Sequence, residues 1–367
     1  MAASRSATVT PRKTAAVSIE EELNAIGNDR IESLRYKRQR DDLQNQLNLT
    51  VAELEQTRTA LKFIESTQAA TIQPPRWLSP EKPKQSAATL ALLLSDTHFD
   101  EVVNPDEIHG LNAYNREIAT MRLHKWGTNV VKLARHYLAG IKYDGVVLML
   151  GGDTFSGDIH EELSETNEDS MLGSLLYWSE QIAASIDLLH GEFGKVHVVA
   201  VPGNHGRTTR KPRAKMRAKT NFDWLLAKMV ERHFAGNKAI TFQVPESADC
   251  LFTVYGRGHL LTHGDAARGG GGIGGIWPPI MRLRAQKMQR YMATGGSFST
   301  LWMGHWHQLI QTPGMVVNGS MKGADEYSIV MGFGYEEPQQ AFSVIAPEKG
   351  IVWQAPVFCM DRAKEKW

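Results

Sequence analysis

The sequence predicts an α/β fold, and three observations carry that expectation. Apolar runs of strand length recur at Leu90–Leu94, Val146–Leu150 and Val196–Val201. Helix-forming stretches, roughly Asn115–Leu138 and Ser170–Leu189, separate them. After the third run the chain becomes strand-rich, with runs around Leu251–Tyr255, Leu260–Thr262, Thr300–Met303, Met315–Val317 and Phe342–Ile345. Alternating strands and helices followed by strands in series argue for two sheets packed together with helices outside.

The segments follow in order. Residues 1–16 are rich in Ala, Ser, Thr and Lys without an apolar period, and read as a disordered tail. Residues 17–67 are helix-forming and free of proline. Leu43, Leu47, Thr50, Leu54, Thr57, Leu61 and Ile64 recur at spacings of four and three, the seam of a helical coiled coil. A shorter seam begins with Ile19, Leu23 and Ile26 and breaks between Arg35 and Asp42. The charged and amide-rich remaining faces favour a homo-oligomer through this segment over a helix folded back onto the rest. Residues 68–87, with Pro74, Pro75, Pro80 and Pro83, form a stiff linker. The main domain then spans 88–358, and 359–367 form a C-terminal tail.

Composition bounds the function. The chain has 367 residues, 42% of them hydrophobic, and a net charge of +1, so only local patches can attract acidic partners. Two cysteines, Cys250 and Cys359, make no disulfide framework, which points to a reducing compartment. No N-terminal stretch resembles a signal peptide, and no run approaches the ~20 apolar residues that span a bilayer. The expectation is a cytoplasmic protein without a membrane partner.

Five clusters of metal-ligand residue types follow apolar runs: Asp96-Thr97-His98, Gly152-Asp153, Gly203-Asn204-His205, Thr262-His263-Gly264 and Gly304-His305-Trp306-His307. In open α/β sheets, the carboxyl ends of strands are where sites are built. Asp, Asn and His without a thiolate suit Mn²⁺, Fe, Zn²⁺ or Mg²⁺ better than a cysteine-type structural zinc site. A carboxylate with donors on both sides can bridge two ions about 3.5–4 Å apart, a pair suited to in-line displacement at phosphorus.

The order and content of these five blocks resemble the calcineurin-like metallophosphoesterase family, over about Ala88 to Trp353. The resemblance implies a four-layer α/β/β/α sandwich and two divalent ions, most simply Mn²⁺. It implies that Asp96, His98, Asp153 and His307 hold one ion and that Asp153, Asn204, His263 and His305 hold the other. It makes His205 the catalytic histidine, which contacts the phosphate and protonates the leaving oxygen. The family usually carries an acid directly after that histidine, where this chain has Gly206, and often a further Asp or His after the second block, where this chain offers Asp158. Gly151-Gly152-Asp153-Thr154-Phe155 is similar to the DNA-repair exonuclease branch, although that branch's C-terminal capping domain is not evident.

Substrate clues lie around the core. Arg207, Arg210, Lys211, Arg213, Lys215, Arg217 and Lys219 crowd the stretch that starts two residues after His205. Such a cluster suits a phosphate backbone, although most charge runs are solvated faces. Arg282, Arg284, Lys287 and Arg290, near Trp277 and Tyr291, form a second group, since aromatics beside basic residues can stack bases. The glycine-rich run from Arg268 to Gly275 is either a connector or a loop whose backbone N–H groups and Arg268 approach phosphate. Asp265 either orients a ligand histidine or pairs with Arg268. Trp306 packs away from the metals, and His109, His124, His136, His190, His197, His233 and His259 are structural; no role is assigned to His160, Glu161 or Glu162. The expected substrate is DNA, bound through Arg207, Arg210, Lys211, Arg213 and Arg268. The alternatives are a small or cyclic nucleotide, and a non-catalytic coiled-coil scaffold with a phosphate-binding domain.

Removing residues 1–70 is expected to turn an oligomer into a monomer without unfolding the remainder. Light scattering that gives the same subunit number for both lengths would mean that the helix folds back.

Overall fold

The computed structural model describes residues 33–51, 75–78, 87–269 and 274–367, together with residues 30, 54, 55 and 58. The expected tail at 1–16, most of the linker, Gly270–Ile273, and Ile19, Leu23, Ile26, Thr57, Leu61 and Ile64 of the seams lie outside the described residues. The chain divides into two compact units, Met1–Thr67 and Gln68–Trp367. In the first, residues 33–51 form helix α1. Leu43, Leu47 and Leu54 are 65%, 55% and 50% exposed.

The second unit contains strands β1 (Ala87–Leu94), β2 (Lys142–Leu150), β3 (Val196–Ala200), β4 (Ile240–Gln243), β5 (Asp249–Val254), β6 (Arg257–Thr262), β7 (Thr300–Met303), β8 (Ile310–Thr312), β9 (Met315–Val317), β10 (Gln339–Ala346) and β11 (Gly350–Phe358). Its helices are α2 (Arg116–Lys132), α3 (Glu161–Thr166), α4 (Met171–Phe193), α5 (Phe222–His233), α6 (Trp277–Ala293), α7 (Glu326–Val330) and α8 (Arg362–Glu365). One sheet runs β11-β10-β1-β2-β3-β4 and the other β5-β6-β7-β9-β8. β1 to β4 pair in parallel, and β10 closes antiparallel on β1.

The period-two alternation of strand side chains assigns each face. Ala91 and Leu93 of β1, Val147 and Met149 of β2, and Val199 of β3 share one apolar cluster with Phe252, Leu261, Trp302 and Val316 of the other sheet. The intervening positions of the second sheet, Leu260, Leu301, Met303, Met315 and Val317, join Ile280 and Leu283 of α6. Helix α4 packs against β2 and β3, and α2 lies against α4 and β11. The expected starts of both long helices hold because caps mark them, whereas α2 passes into a π-helical turn at Leu133–Tyr137 and α4 runs on to Phe193, past the expected end at Leu189. Asn115 accepts from the Ile118 N–H and Ser170 from the Gly173 N–H, while left-handed Gly194 ends α4. No helix among the described residues is long and apolar enough to cross a membrane.

Both expected boundaries of the main domain differ from the structure. Residues 76–78 fall in the expected linker, yet they form a 3₁₀ turn whose Leu78 is fully buried in the inter-sheet cluster. Its carbonyl accepts the Tyr255 N–H. At the other end, Cys359 and Met360 are buried and Glu365 of α8 reaches the fully buried Arg122 at 2.8 Å. That guanidinium also donates to the carbonyls of Lys322 and Ala113 and to the Asn112 side chain. Prolines and a charged, lysine-rich end masked these contacts, because both look like solvent-facing chain.

Candidate metal centre

All five clusters leave the carboxyl ends of strands: Asp96 and His98 after β1, Asp153 after β2, Asn204 and His205 after β3, His263 after β6, and His305 and His307 after β7. Asp96, His98, Asp153, His305 and His307 have left-handed backbone, with φ of 53°, 44°, 51°, 72° and 52°. Such conformations cost of order 1–3 kcal/mol each in non-glycine residues and concentrate at functional sites. Two motif glycines are fixed by space. A Cβ at Gly203 would run into the Asp153 carboxylate, and one at Gly304 into the Asp96 carboxylate.

The side chains converge on three overlapping groups: Asp96, His98 and His307; His98, Asp153 and His205; and Asp153, His263 and His305. In each, the ligand atoms lie within 4.8 Å of one another. A hydrogen bond assigns the proton on the His263 ring. His263 Nδ1 lies 2.8 Å from the Gly151 carbonyl, which can only accept, so Nδ1 carries the hydrogen. Nε2 then faces Asp153 Oδ2 at 2.9 Å and Asn204 Oδ1 at 3.0 Å. Three electron-rich atoms meeting without a hydrogen require a cation or an extra proton. No hydrogen bond fixes the His98 proton: Nδ1 lies 3.5 Å from Glu101 Oε2, and both atoms are buried without a hydrogen-bond partner, while Nε2 lies 3.1 Å from His307 Nε2, and His307 Nε2 is 3.6 Å from Asp96 Oδ1. The donor set thus fits divalent cations held by nitrogen and oxygen.

Electrostatics say the same. Burial, with the nearby Asp153, pushes the Asp96 carboxyl up to about 7, against the pull of His263 and Ser95. Burial would also raise Asp153, but His263 and then His205 hold it well below the usual carboxylate range. His263 rises to about 10 because Asp153 outweighs burial. Burial and the Lys322 ammonium keep His98 and His307 neutral, His307 at about 3. Burial and His263 lower His305 to about 4. Neutral imidazoles are the form that ligates metal.

Supporting residues escaped the sequence because they lie far from the motifs or look generic. Lys322 is buried between Glu101, at 2.7 Å, and Asp325, and Glu101 in turn faces His98. Ser95 donates to Asp96 and receives a hydrogen bond from Asn318, which also donates to Gln340 on β10. Asp223, in the first turn of α5, accepts from the backbone of Asp153, Thr154 and Gly203. The one sequence-level signal was Glu101, three residues after His98.

Other expected residues have mixed fates. His205 donates from Nδ1 to the Ser156 carbonyl at 2.7 Å, and its backbone N–H meets Asp153 Oδ1, also at 2.7 Å. Its Nε2 is thereby left for a ligand. Arg207 spends its guanidinium on the carbonyls of Asn204, Thr209 and Arg210, shaping its own loop rather than facing solvent. Arg217 makes a two-pronged bridge to Asp265, at 2.8 and 2.9 Å, so Asp265 pairs with Arg217 and not with Arg268. Lys219 pairs with Glu246. Arg210, Lys211, Arg213 and Lys215 remain exposed on the loop closed by the Arg207–Asn221 bridge, and Arg268 is exposed elsewhere. In the second basic group, Lys287 is buried against Asp249 and Arg284 donates to the Gly314 carbonyl, so half of it belongs to the packing of α6. Asp158 is not drawn into the three ligand groups. His160, left without a role, sits 6.0 Å from His205, ring centre to ring centre. Trp306 packs on the α6 cluster, and His197 and His259 are buried and held near 4 by burial, as structural histidines should be.

No family model and no curated protein sequence matches the chain. Among solved structures, a conserved Streptococcus pneumoniae protein described as a predicted phosphoesterase is 10% identical over 73% of this chain and 98% of its own, with a TM-score of 0.26. Vacuolar protein sorting 29 from Cryptosporidium parvum is 12% identical over 70% and 85%, with a TM-score of 0.27. Vps29 of Entamoeba histolytica, complexed with zinc, is 11% identical over 73% and 99%, with a TM-score of 0.28. The geometry of the five loops, not these likenesses, carries the functional conclusion.

Divalent metal is expected to displace protons from the metal-free protein. At pH 7 His263, held charged up to about 10, loses about one, and Asp96, near its midpoint of about 7, loses a further fraction. By pH 8–9 the Asp96 share vanishes and release falls toward one. Calorimetry with Mn²⁺ in buffers of different ionisation enthalpy measures the count, and no release at pH 7 would overturn this charge assignment.

Proposed function

We propose that this chain is a two-metal phosphodiester hydrolase acting on DNA, built as a four-layer α/β/β/α sandwich. The observation that carries the hydrolase reading is the convergence of His263 Nε2, Asp153 Oδ2 and Asn204 Oδ1, with the His263 ring hydrogen spent on Gly151. Asp96, His98, Asp153 and His307 would hold one ion and Asp153, Asn204, His263 and His305 the other. Mn²⁺ suits this set, as do Fe, Zn²⁺ and Mg²⁺. When bound, such ions supply Lewis-acid charge against the phosphoryl oxygens.

The chain's own groups do the rest. The His205 Nδ1–H anchored on Ser156 fixes the ring, so that Nε2 can deliver a proton to the leaving oxygen. Arg210, Lys211, Arg213 and Lys215 support a polynucleotide over a small nucleotide. They are exposed and have no ion pair among the described residues, whereas a compact nucleotide needs one enclosed pocket. Single strands or ends suit a site that needs an accessible phosphodiester. A homo-oligomer through residues 17–67 would present several such sites together.

Asp153→Asn and His307→Ala should each abolish hydrolysis of a small chromogenic phosphodiester in Mn²⁺. His205→Ala should keep metal uptake and lose about 10²–10⁴-fold in turnover. Full activity in Asp153→Asn would sink the two-metal assignment. A protein that takes up no metal and turns nothing over would instead be the scaffold.

Replacing Arg210, Lys211, Arg213 and Lys215 by Ala should weaken DNA binding and flatten its salt dependence, by about 0.7–0.9 in the log–log slope per lost phosphate contact. Cleavage of the small diester should survive. Untouched DNA beside rapid turnover of a cyclic or small nucleotide would replace the nuclease reading with that of a nucleotide phosphodiesterase.

A further inference from the structure

We propose that Asp223 is a positioning residue of the metal centre, supplying from α5 the carboxylate that is missing from the position after His205. The inference rests on the two-metal reading above. Residue 206 is glycine, and the space beside it is occupied. A Cβ there would lie 2.8 Å from Asn221 Oδ1, 2.9 Å from Asp223 Oδ2 and 3.0 Å from Asp223 Cγ. The Asp223 carboxylate therefore fills the volume that an acidic side chain at 206 would need. Gly206 is absent from the left-handed residues, so its backbone conformation alone does not demand glycine.

What the carboxylate does there is specific. Oδ2 accepts from the Gly203 N–H at 2.8 Å and the Asp153 N–H at 3.2 Å, and Oδ1 from the Thr154 N–H at 3.0 Å. These donors belong to two different loops, one carrying the bridging Asp153 and the other Asn204 and His205. Asp223 is 5% exposed, so the bonds are shielded from water. Asn221 completes the clamp, accepting from the Asp223 N–H at 2.8 Å and donating to the Gly203 carbonyl at 2.9 Å. Phe222 N–H returns to the Gly206 carbonyl at 2.7 Å. Asp223 holds the backbone of Asp153, a residue in left-handed conformation, through the Asp153 N–H. Partners that orient ligands typically change metal affinity by about 10–100-fold when lost.

The test uses the full chain stripped of metal. Mn²⁺ affinity is measured by calorimetry, and thermal midpoints are recorded with and without Mn²⁺. Asp223→Ala is expected to weaken Mn²⁺ binding by about 10–100-fold. Gly206→Asp alone should also weaken it, because two carboxylates then compete for one space. Should Asp223→Ala fail to fold, Asp223→Asn keeps the volume while removing the charge and setting an amide against N–H donors; it should weaken Mn²⁺ binding with the fold intact. Unchanged affinity in a folded Asp223→Ala or Asp223→Asn overturns the proposal and leaves the two-metal reading standing. A wild-type chain that binds no Mn²⁺ fails the metal reading itself, and this proposal with it.

Discussion

Two carboxylates buried at the ends of adjacent parallel strands are the constraint on which the rest of this domain turns. Asp96 and Asp153 are 0% and 1% exposed, and each continues from a central strand of the larger sheet. Removing an ion from water costs several kcal/mol even after relaxation, whereas a hydrogen bond to a charged group returns about 1.5–3 kcal/mol. Asp153 gathers a histidine contact, a backbone N–H and the positive influence of His205, and stays ionised. Asp96 receives the Ser95 hydroxyl and the His305 N–H, and those do not suffice, so it drifts toward protonation. The imbalance is resolved by positive charge placed between them, and the arrangement of five loops makes sense as a container for it.

The surroundings keep that container able to bind. A lysine buried beside histidines that could hold a metal looks counterproductive, since it adds a cation where cations would be wanted from outside. Lys322, however, is matched by Glu101 and Asp325, and its remaining effect on His98 and His307 is to keep them unprotonated. The lysine thus excludes the competitor, a proton, while Glu101 stands beside His98 Nδ1. The same loop reaches Arg122 through the Lys322 carbonyl and, through Arg122, Glu365 near the C-terminus. The chemistry at one edge of the sheets is mechanically continuous with the packing of α2 and α8.

Much of this was legible in the residues, for reasons that can be stated. The strands announced themselves because those buried on both faces are unbroken apolar runs, and the ligand clusters because each falls where such a run stops. The long helices were readable from Asn115 and Ser170, whose side chains cap them. What escaped depends on distance along the chain. Nothing local distinguishes Asp223 from any first-turn helix acid, or Lys322 from a surface lysine. The basic stretch looked uniform, although Arg207, Arg217 and Lys219 are consumed internally and only the tip is free. Likewise Lys287 resembled a patch residue until Asp249, on another element, was placed against it. Charge composition is visible in sequence; charge pairing is a property of the fold.

The left-handed backbone of five candidate ligands sets the proposed chemistry and the chain against each other at the same positions. Glycine, and to a lesser degree asparagine, would sit more comfortably where Asp96, His98, Asp153, His305 and His307 now stand. Under mutation without selection on turnover, replacing those side chains by glycine would relieve backbone strain that the present residues carry. Decay of the centre is an energetically downhill path for the polypeptide, as expected where stability and activity trade off.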